Sequence, residues 1–468
     1  MLTKNWAAEE FATAKFKDFR LGRRFTRLFS EMADSMSGLR EKSTSCRSNS
    51  FLKGAKRFFM NERVELHEIF APHEQANKAR VSSEEFVLNI QDTSGLNYHN
   101  HSSKIDIGHI GSSPNRNDSY GYWLHTGLLC SPDGTPLGIS YQELWSREEW
   151  FNEGKNARKS RLRKLPIENK ESFRWLEGVQ SCATYREAGA KIVHICDREA
   201  DIYDLFQLCN DVGDFFVIRA KSERRIENNT WQYSNLNDFV AKAPTLFEKK
   251  LTIQGNSDRK SQTINAKIKV RSGTIQPPTS NRSREEAEKL RPLNLSVIQV
   301  SSKSKMDGKV IKWLLVTNLP VNSEVKINQI IDWYTLRWRI EIFFKTLKSG
   351  ANIENCRLID VERLSKYILM QSIIAFRVLQ LTFFGRMNPK KSIRTILSSL
   401  EWKVIGKILF KNVGRPASNA EEVIRRIALK GGFIPGKGRS PGVLTVWKGW
   451  SWLSVIISEA EALGFKGK

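Results

Sequence analysis

Between Asp332 and Lys348 the chain reads DWYTLRWRIEIFFKTLK, and five polar residues in this stretch fall on one helical face. At about 100° per residue, Tyr334, Arg337, Glu341, Lys345 and Lys348 share a stripe roughly 80° wide, with Trp333, Leu336, Ile340, Phe343, Phe344 and Leu347 on the other side. The stripe carries one acid, three cations and a phenol. A carboxylate can hold a divalent metal, while Arg, Lys and Tyr grip phosphate oxygens, so the combination suits cutting or joining a phosphodiester. A solvated helix face has the same charge pattern. Two further carboxylates upstream, Asp92 and Asp197, decide between the two readings.

Both acids are delivered by short apolar runs. Phe86 to Asp92 (FVLNIQD) reads as a strand with Asp92 at its tip, and Lys191 to Asp197 (KIVHICD) reads as another with Asp197 just past its end. Glu199 and Asp201 follow at once and belong to the start of the next helix, where acids complement the helix dipole. His194 lies within the strand and reads as a core histidine. Two strand-tip carboxylates and a third on a helix across them can hold two divalent ions about 4 Å apart. Hard oxygen ligands favour magnesium, with manganese as a substitute.

The positioning elements follow an α/β order. Strands are expected at Tyr122 to Cys130 and Pro136 to Trp145, joined by a turn at Pro132 to Pro136. A helix over Ser172 to Gly189 comes next, then the Asp197 strand, a helix at Ala200 to Asn210 and a strand at Asp214 to Ala220. Three strands, a helix, a strand, a helix and a strand make the ribonuclease-H-like pattern. Residues 219 to 312 hold 20 Lys plus Arg against 9 Asp plus Glu and read as a β-rich basic insertion, with strands near Lys249 to Gln254 and Thr263 to Val270 and a mobile loop from Gln276. A strand at Ile311 to Asn318 leads back to the helix bearing Glu341.

The flanks are helical. Residues 1 to about 70 have apolar positions at helical spacing and two basic clusters, Arg20, Arg23, Arg24 and Arg27, then Lys53, Lys56 and Arg57, with a Ser-rich link at Ser43 to Ser50. Helices with such faces read phosphates. From about residue 385 a smaller helical domain is expected, with Trp447, Trp450 and Trp452 as core or interface anchors. The divisions are thus 1–70, 71–384 with the insertion at about 221–310, and 385–468.

Whole-chain chemistry agrees. The 468 residues carry 75 Lys plus Arg against 50 Asp plus Glu, a net charge of +25, which points to a polyanionic partner and first to double-stranded DNA. No apolar run of about 18 residues and no signal peptide is read, so a membrane is excluded and an intracellular, cytoplasmic protein is expected. Six cysteines stand apart without zinc-ligand spacing and are expected as free thiols. His99 and His101 read as a solvated loop rather than a metal site.

The segments Leu21 to Arg24, Gly54 to Phe58, Gln91 to Ser94, Lys170 to Trp175, Cys196 to Ile202, Lys312 to Thr317 and Tyr334 to Glu341, with Lys348, together resemble a known family. It is that of bacterial cut-and-paste DDE transposases with the Tyr-Arg-Glu-Lys signature, close to the transposon-five transposase. The resemblance implies that Asp92, Asp197 and Glu341 are the metal triad, with two magnesium or manganese ions per site. It implies that Tyr334, Arg337, Lys345 and Lys348 hold the DNA strand ends. Arg198 and Arg219 join them as candidate DNA contacts. Trp313 aligns with a tryptophan that stacks on a flipped base during hairpin formation; on its residues alone it equally suits a core position on a strand. The family works as a homodimer on paired transposon ends and then on target DNA, in the bacterial cytoplasm at the nucleoid. Glu41 to Leu52 departs from the pattern, so recognition of a particular terminal repeat is not implied. Phe51 stands where some relatives begin a truncated inhibitor, so that isoform is not implied either. Two rival readings stand beside this one: a metal-dependent nuclease on the same fold, and a non-enzymatic, transposase-derived DNA-binding protein.

Overall fold

The computed structural model describes residues 6–34, 49–101, 104–112, 118–148, 154–220, 224–227, 233–253, 262–278, 284–306, 309–411, 419–436 and 438–464. Helices α1 (Trp6–Glu10), α2 (Phe19–Asp34), α3 (Asn49–Phe59) and α4 (Leu66–Val81) come first, then strands β1 (Phe86–Asn97), β2 (Gly108–Ser112), β3 (Asp118–Cys130) and β4 (Pro136–Trp145). Next are α5 (Lys155–Lys164), α6 (Phe173–Gln180), α7 (Ala183–Glu187), β5 (Lys191–Cys196), α8 (Tyr203–Val212) and β6 (Phe215–Arg219). The basic insertion forms β7 (Arg225–Glu227), β8 (Tyr233–Asn235), α9 (Leu236–Ala241), β9 (Phe247–Ile253), β10 (Gln262–Ile275), α10 (Arg284–Glu288) and β11 (Leu293–Met306), and β12 (Lys309–Thr317) follows. Helices α11 (Glu324–Thr335), α12 (Trp338–Lys345), α13 (Val361–Met387), α14 (Ser399–Leu409), α15 (Ala420–Lys430) and α16 (Val443–Ala462) complete the chain.

All twelve strands among the described residues join one sheet, in the order β2-β3-β1-β5-β6-β12-β11-β10-β7-β8, with β4 on β3 and β9 on β10. β1, β5 and β6 are parallel, whereas β3 is antiparallel to β1 and β4 to β3. Parallel strands buried on both faces read as near-continuous apolar runs, and KIVHIC and FFVIR do so. Alternation then sorts side chains between two cores. Leu88, Ile90, Val217 and Leu315 face a core shared with Ile340, Phe343 and the residues of α13. Phe216, Ile218, Leu314 and Val316 face the opposite core, with Leu176 and Phe206.

Several expectations are corrected. β1 does not end at Asp92 but runs to Asn97, because its antiparallel partner β3 continues beside it. The parallel ladder with β5 stops at Ile90 and Ile195, so Asp92 still lies just beyond the parallel strands. The helix at Ser172 to Gly189 is two short helices, α6 and α7. The strands of the insertion continue the main sheet, since β11 pairs with β12 and β12 with β6. Of its loop after Gln276, residues 279–283 lie outside the described residues and Arg284–Glu288 is helical. The Ser43 to Ser50 link falls almost wholly outside them too. An apolar span does exist: α13 is long and apolar enough to cross a membrane by length and composition, but its apolar window is entirely buried within the protein. Cys130, Cys182, Cys196, Cys209 and Cys356 are free and buried, and Cys46 lies outside the described residues.

The N-terminal helices pack against the body through a buried ionic knot. Glu10 Oε1 lies 2.5 Å from His73 Nδ1, and Glu10 accepts from Arg80 at 2.8 and 2.9 Å. His73 Nε2 accepts from the Ile139 amide at 3.0 Å, so its proton sits on Nδ1 and points at Glu10. Burial alone would raise the Glu10 pKa, but Arg80 and His73 hold the carboxyl well below its ordinary range. Glu10→Ala should therefore destabilise the protein by about 3–5 kcal/mol, because it strands Arg80 and a buried imidazole without their anion. Urea unfolding at neutral pH measures this, with limited proteolysis expected to begin in α1 and α2.

Candidate active site

The helix expected over residues 332 to 348 is interrupted at the point where the chemistry lies. α11 closes at Thr335, and the amides of Leu336, Arg337, Arg339 and Ile340 each bond three residues back, so the chain tightens between α11 and α12. After α12 it widens into a π-helical turn at Thr346–Gly350. The turn between β3 and β4 supports the break. Arg339 Nε donates to the Gly134 carbonyl at 3.1 Å. Gly134 itself has φ +85°, and a Cβ there would stand 2.7 Å from the Leu336 side chain, so only glycine suits the position.

This break brings Arg337 between two of the three acids. Its Nη1 donates to Asp92 Oδ2 at 3.1 Å and its Nη2 to Glu341 Oε1 at 2.5 Å. Asp92 Oδ1 accepts from the Thr93 amide at 2.8 Å. Asp197, first residue after β5, caps a 3-10 turn at Arg198–Ala200 by accepting the Glu199 amide at 2.7 Å. Burial pushes the Asp92 carboxyl up to about 7; Arg337 opposes the rise, and Asp197 and Glu341 add to it. All three acids therefore share one electrostatic neighbourhood. Among the described residues, however, no group of three His, Cys, Asp or Glu is drawn together tightly enough to hold a metal ion. Two of the acids, Asp92 and Glu341, are bridged by a guanidinium instead.

The donor set is nevertheless suited to a hard divalent ion. It is all carboxylate oxygen, the ligand type such ions prefer. Asp201 is excluded from the set: its buried side chain pairs with Arg224 at 2.7 Å. His194 is wholly buried, with Nε2 on Asp214 at 2.8 Å, as the core reading has it. His99 stacks on Tyr120 and His101 packs against Tyr98.

The remaining candidates divide. Tyr334 is buried, whereas Trp313, in edge contact with it at 5.3 Å, is only partly buried. Burial raises the Tyr334 pKa, and Arg337 and Arg219 oppose the rise. Arg219 ends β6 beside Arg198, Arg337 and Asp197; its Nη2 donates to the Lys312 carbonyl at 3.2 Å, and its buried Nε has no hydrogen-bond partner. Lys348 donates to the Gly95 carbonyl at 2.6 Å, whereas Lys345 and Arg198 are exposed. Arg20, Arg23, Arg24 and Arg27 on α2 and Lys53 and Arg57 on α3 are all exposed.

One supporting residue has no motif to reveal it. His125 on β3 is fully buried, and burial pushes its pKa down to about 3, so the ring is neutral. Its two nitrogens meet Thr93 Oγ1 at 2.8 Å and Gln91 Oε1 at 3.1 Å, fixing the residues on either side of Asp92.

The Asp92 shift has a definite sign. The unfolded chain releases this proton near the ordinary value of 3.8, while the folded protein keeps it until about 7. Metal-free stability from this group is thus full below pH 4, falls as pH rises through the interval and is level above about 7. Asp92→Asn should remove that dependence and gain on the order of 2–4 kcal/mol over the native protein at pH 8 relative to pH 4. Thermal melts in EDTA across this range check it.

Comparison with known proteins supplies the context. The family model described as transposase DNA-binding matches residues 3–64, the transposase DDE domain matches 179–377, and the transposase Tn5 dimerisation domain matches 373–464. The DDE match spans Asp197 and Glu341 and begins after Asp92. The transposase for insertion sequence element IS231F of Bacillus thuringiensis subsp. israelensis is 38% identical over 93 residues, 20% of this chain and 19% of that protein. That for IS231B of subsp. berliner is 32% identical over 120 residues, 24% of each. The putative transposase InsL for IS186A of Escherichia coli K12 is 30% identical over 93 residues, 18% of this chain and 25% of its own length. The matched segments thus span a quarter or less of these relatives. In succession along the chain, segments are therefore similar to a transposase DNA-binding domain, a transposase DDE domain and a transposase Tn5 dimerisation domain.

Proposed function

We propose that the protein is the DNA transposase of an insertion sequence, acting as a homodimer on paired element ends by a cut-and-paste route in the bacterial cytoplasm, at the nucleoid. The observation that carries this reading is the bridging of Asp92 and Glu341 by Arg337, with Asp197 close enough to Asp92 to act on its charge, in a chain matched in part by a DDE domain. The ribonuclease-H-like fold is part of it: counting the core strands β1, β3, β4, β5 and β6 as first to fifth, their order is third-second-first-fourth-fifth. The domain divisions at about 70 and 384 belong to the same proposal.

When bound between these acids, divalent ions, two magnesium or manganese per site, supply Lewis acidity to the attacking and leaving oxygens of an in-line displacement. The protein's own groups do the rest. Asp92 and Asp197 fix one wall from adjacent parallel strands, and Glu341 closes the other from α12. Arg198, Arg219 and Arg337 bring guanidinium donors to the scissile phosphate and to its neighbours, and Lys345, Lys348 and Tyr334 flank the strand end. Water first displaces the 3′ oxygen of one strand. That 3′-hydroxyl then attacks the opposite strand to give a hairpin, which is hydrolysed before the freed 3′ end attacks target phosphorus. Sequence-blind affinity comes from the basic surface, and recognition of the element end from α2 and α3.

Asp92→Ala, Asp197→Ala and Glu341→Ala should each abolish cleavage while leaving gel-shift binding of the element end largely intact, since cations elsewhere supply the affinity. Glu199→Ala is the control and should cut; Asp201 does not serve, because Arg224 depends on it. Cutting without joining by the native protein would favour the nuclease reading, and binding without cutting the inactive one. Trp313 gives a finer test of the route. Extruding a base at a tight hairpin costs a few kcal/mol, of which stacking on the indole recovers about 1–3 kcal/mol. Trp313→Ala should nick nearly normally yet accumulate nicked DNA, with an abasic site at the flipped position relieving the defect. Equal loss of both steps with a lowered melting temperature would mark Trp313 as a core residue paired to Tyr334.

A further inference from the structure

The facing oxygens of Asp92 and Glu341, where a divalent ion would bridge them, are already engaged. Asp92 Oδ2 and Glu341 Oε1 both accept from Arg337, through different guanidinium nitrogens, and the remaining Asp92 oxygen is held by the Thr93 amide. Arg337 is only 15% exposed, so its charge is balanced by these carboxylates far more than by water. An ion and a guanidinium cannot occupy one place between the same two acids. Loading an ion between Asp92 and Glu341 therefore requires Arg337 to leave, and a largely buried guanidinium that leaves two carboxylates needs another anion. Lys348, by contrast, already donates to Gly95, and Arg219 to Lys312, so the competition rests on Arg337.

We infer that Arg337 is an internal substitute for the metal, a latch that holds Asp92 and Glu341 together in the free protein and passes to a DNA phosphate as the metal enters. This rests on the transposase reading above. Its consequence is coupling: by linkage, each ligand strengthens binding of the other, because each removes the latch from the other's path. A free protein so arranged keeps its site closed to ions until DNA is seated, which restrains cutting away from a bound end. Arg337's position on the tight turn before α12 suits the exchange, since one side chain can swing while α12 keeps Glu341 in place.

The test is manganese binding to the full chain without DNA, read by electron paramagnetic resonance of free Mn2+. Arg337→Gln and Arg337→Ala should bind at least about tenfold more tightly than the native protein, and Asp92→Asn combined with Arg337→Gln should lose that gain. In EDTA, Arg337→Gln should melt lower than the native protein, because the acids then face each other uncompensated, and Mn2+ should restore its Tm. Unchanged or weaker binding by the Arg337 variants, with further loss in the double variant, overturns the latch and leaves the acid site standing. A lowered Tm that Mn2+ does not restore counts equally against the latch. If neither the single nor the double variant alters Mn2+ binding, the acids do not hold the metal, and the transposase reading of this site falls with the latch.

Discussion

Three carboxylates held in one half-buried neighbourhood repel one another, and that repulsion is the constraint around which the central region is built. Burial adds to it at Asp92: desolvation first, and then Asp197 and Glu341, carry the carboxyl to about 7 even with Arg337 against it. A site of this kind is stable before its metal arrives only if some other cation stands within it. Arg337 fills that role, and the break between α11 and α12 places it one helical turn from Glu341 and within reach of β1. The opposing demand is rigidity, because acids free to move apart relax their repulsion and lose the site. β1 and β5 are locked side by side by the parallel ladder from Phe86 to Ile90, and Asp92 and Asp197 lie immediately beyond it.

That rigidity has a polar component on the face of the sheet opposite Glu341. Asn89 donates to the Gly178 carbonyl at 2.9 Å and accepts from Ser140 at 2.8 Å. His194 and Arg186 converge on Asp214, at 2.8 and 2.6 Å. Buried polar networks of this kind tolerate little displacement, since each lost bond leaves a desolvated group. Gln91, Thr93 and His125 extend the network to either side of Asp92. The apolar face packs the acid-bearing strands against α12 and α13, and the polar face fixes their register.

What was legible in the sequence followed from period and residue type. The strands bearing Asp92 and Asp197 are short and apolar, and their parallel pairing buries both faces, so their composition announces them. Tyr334 to Lys348 showed helical spacing, but not the break at Leu336 and Arg337, because all of its residues remain right-handed and only the hydrogen-bond spacing changes. The end of β1 was misplaced because TSGLN carries turn residues; pairing to β3 overrides that local preference. His125 gave no signal at all, since its contacts to Gln91 and Thr93 are made across strands. The Glu10 knot was equally silent, joining residues 63 and 70 positions apart.

The insertion shows how distant sequence is recruited to the site wall. Its longest strands, β10 and β11, are paired to one another, and β11 hands the sheet on to β12, which returns to β6. Trp313 stands on β12 opposite Val300 of the insertion and against Tyr334 of α11. Arg219 at the end of β6 reaches the Lys312 carbonyl, so cations and aromatics on this wall are fixed by strands on both sides of the insertion. A basic module tethered by a flexible linker could bind phosphate but could not hold Trp313 at a set distance from the acids. Continuity of the sheet does so, because a strand's register fixes its side chains to within a residue spacing of about 3.3 Å. The insertion therefore acts through placement as much as through charge: deforming it displaces the wall that faces Asp197 and Arg337, even though none of its own residues is one of the three acids.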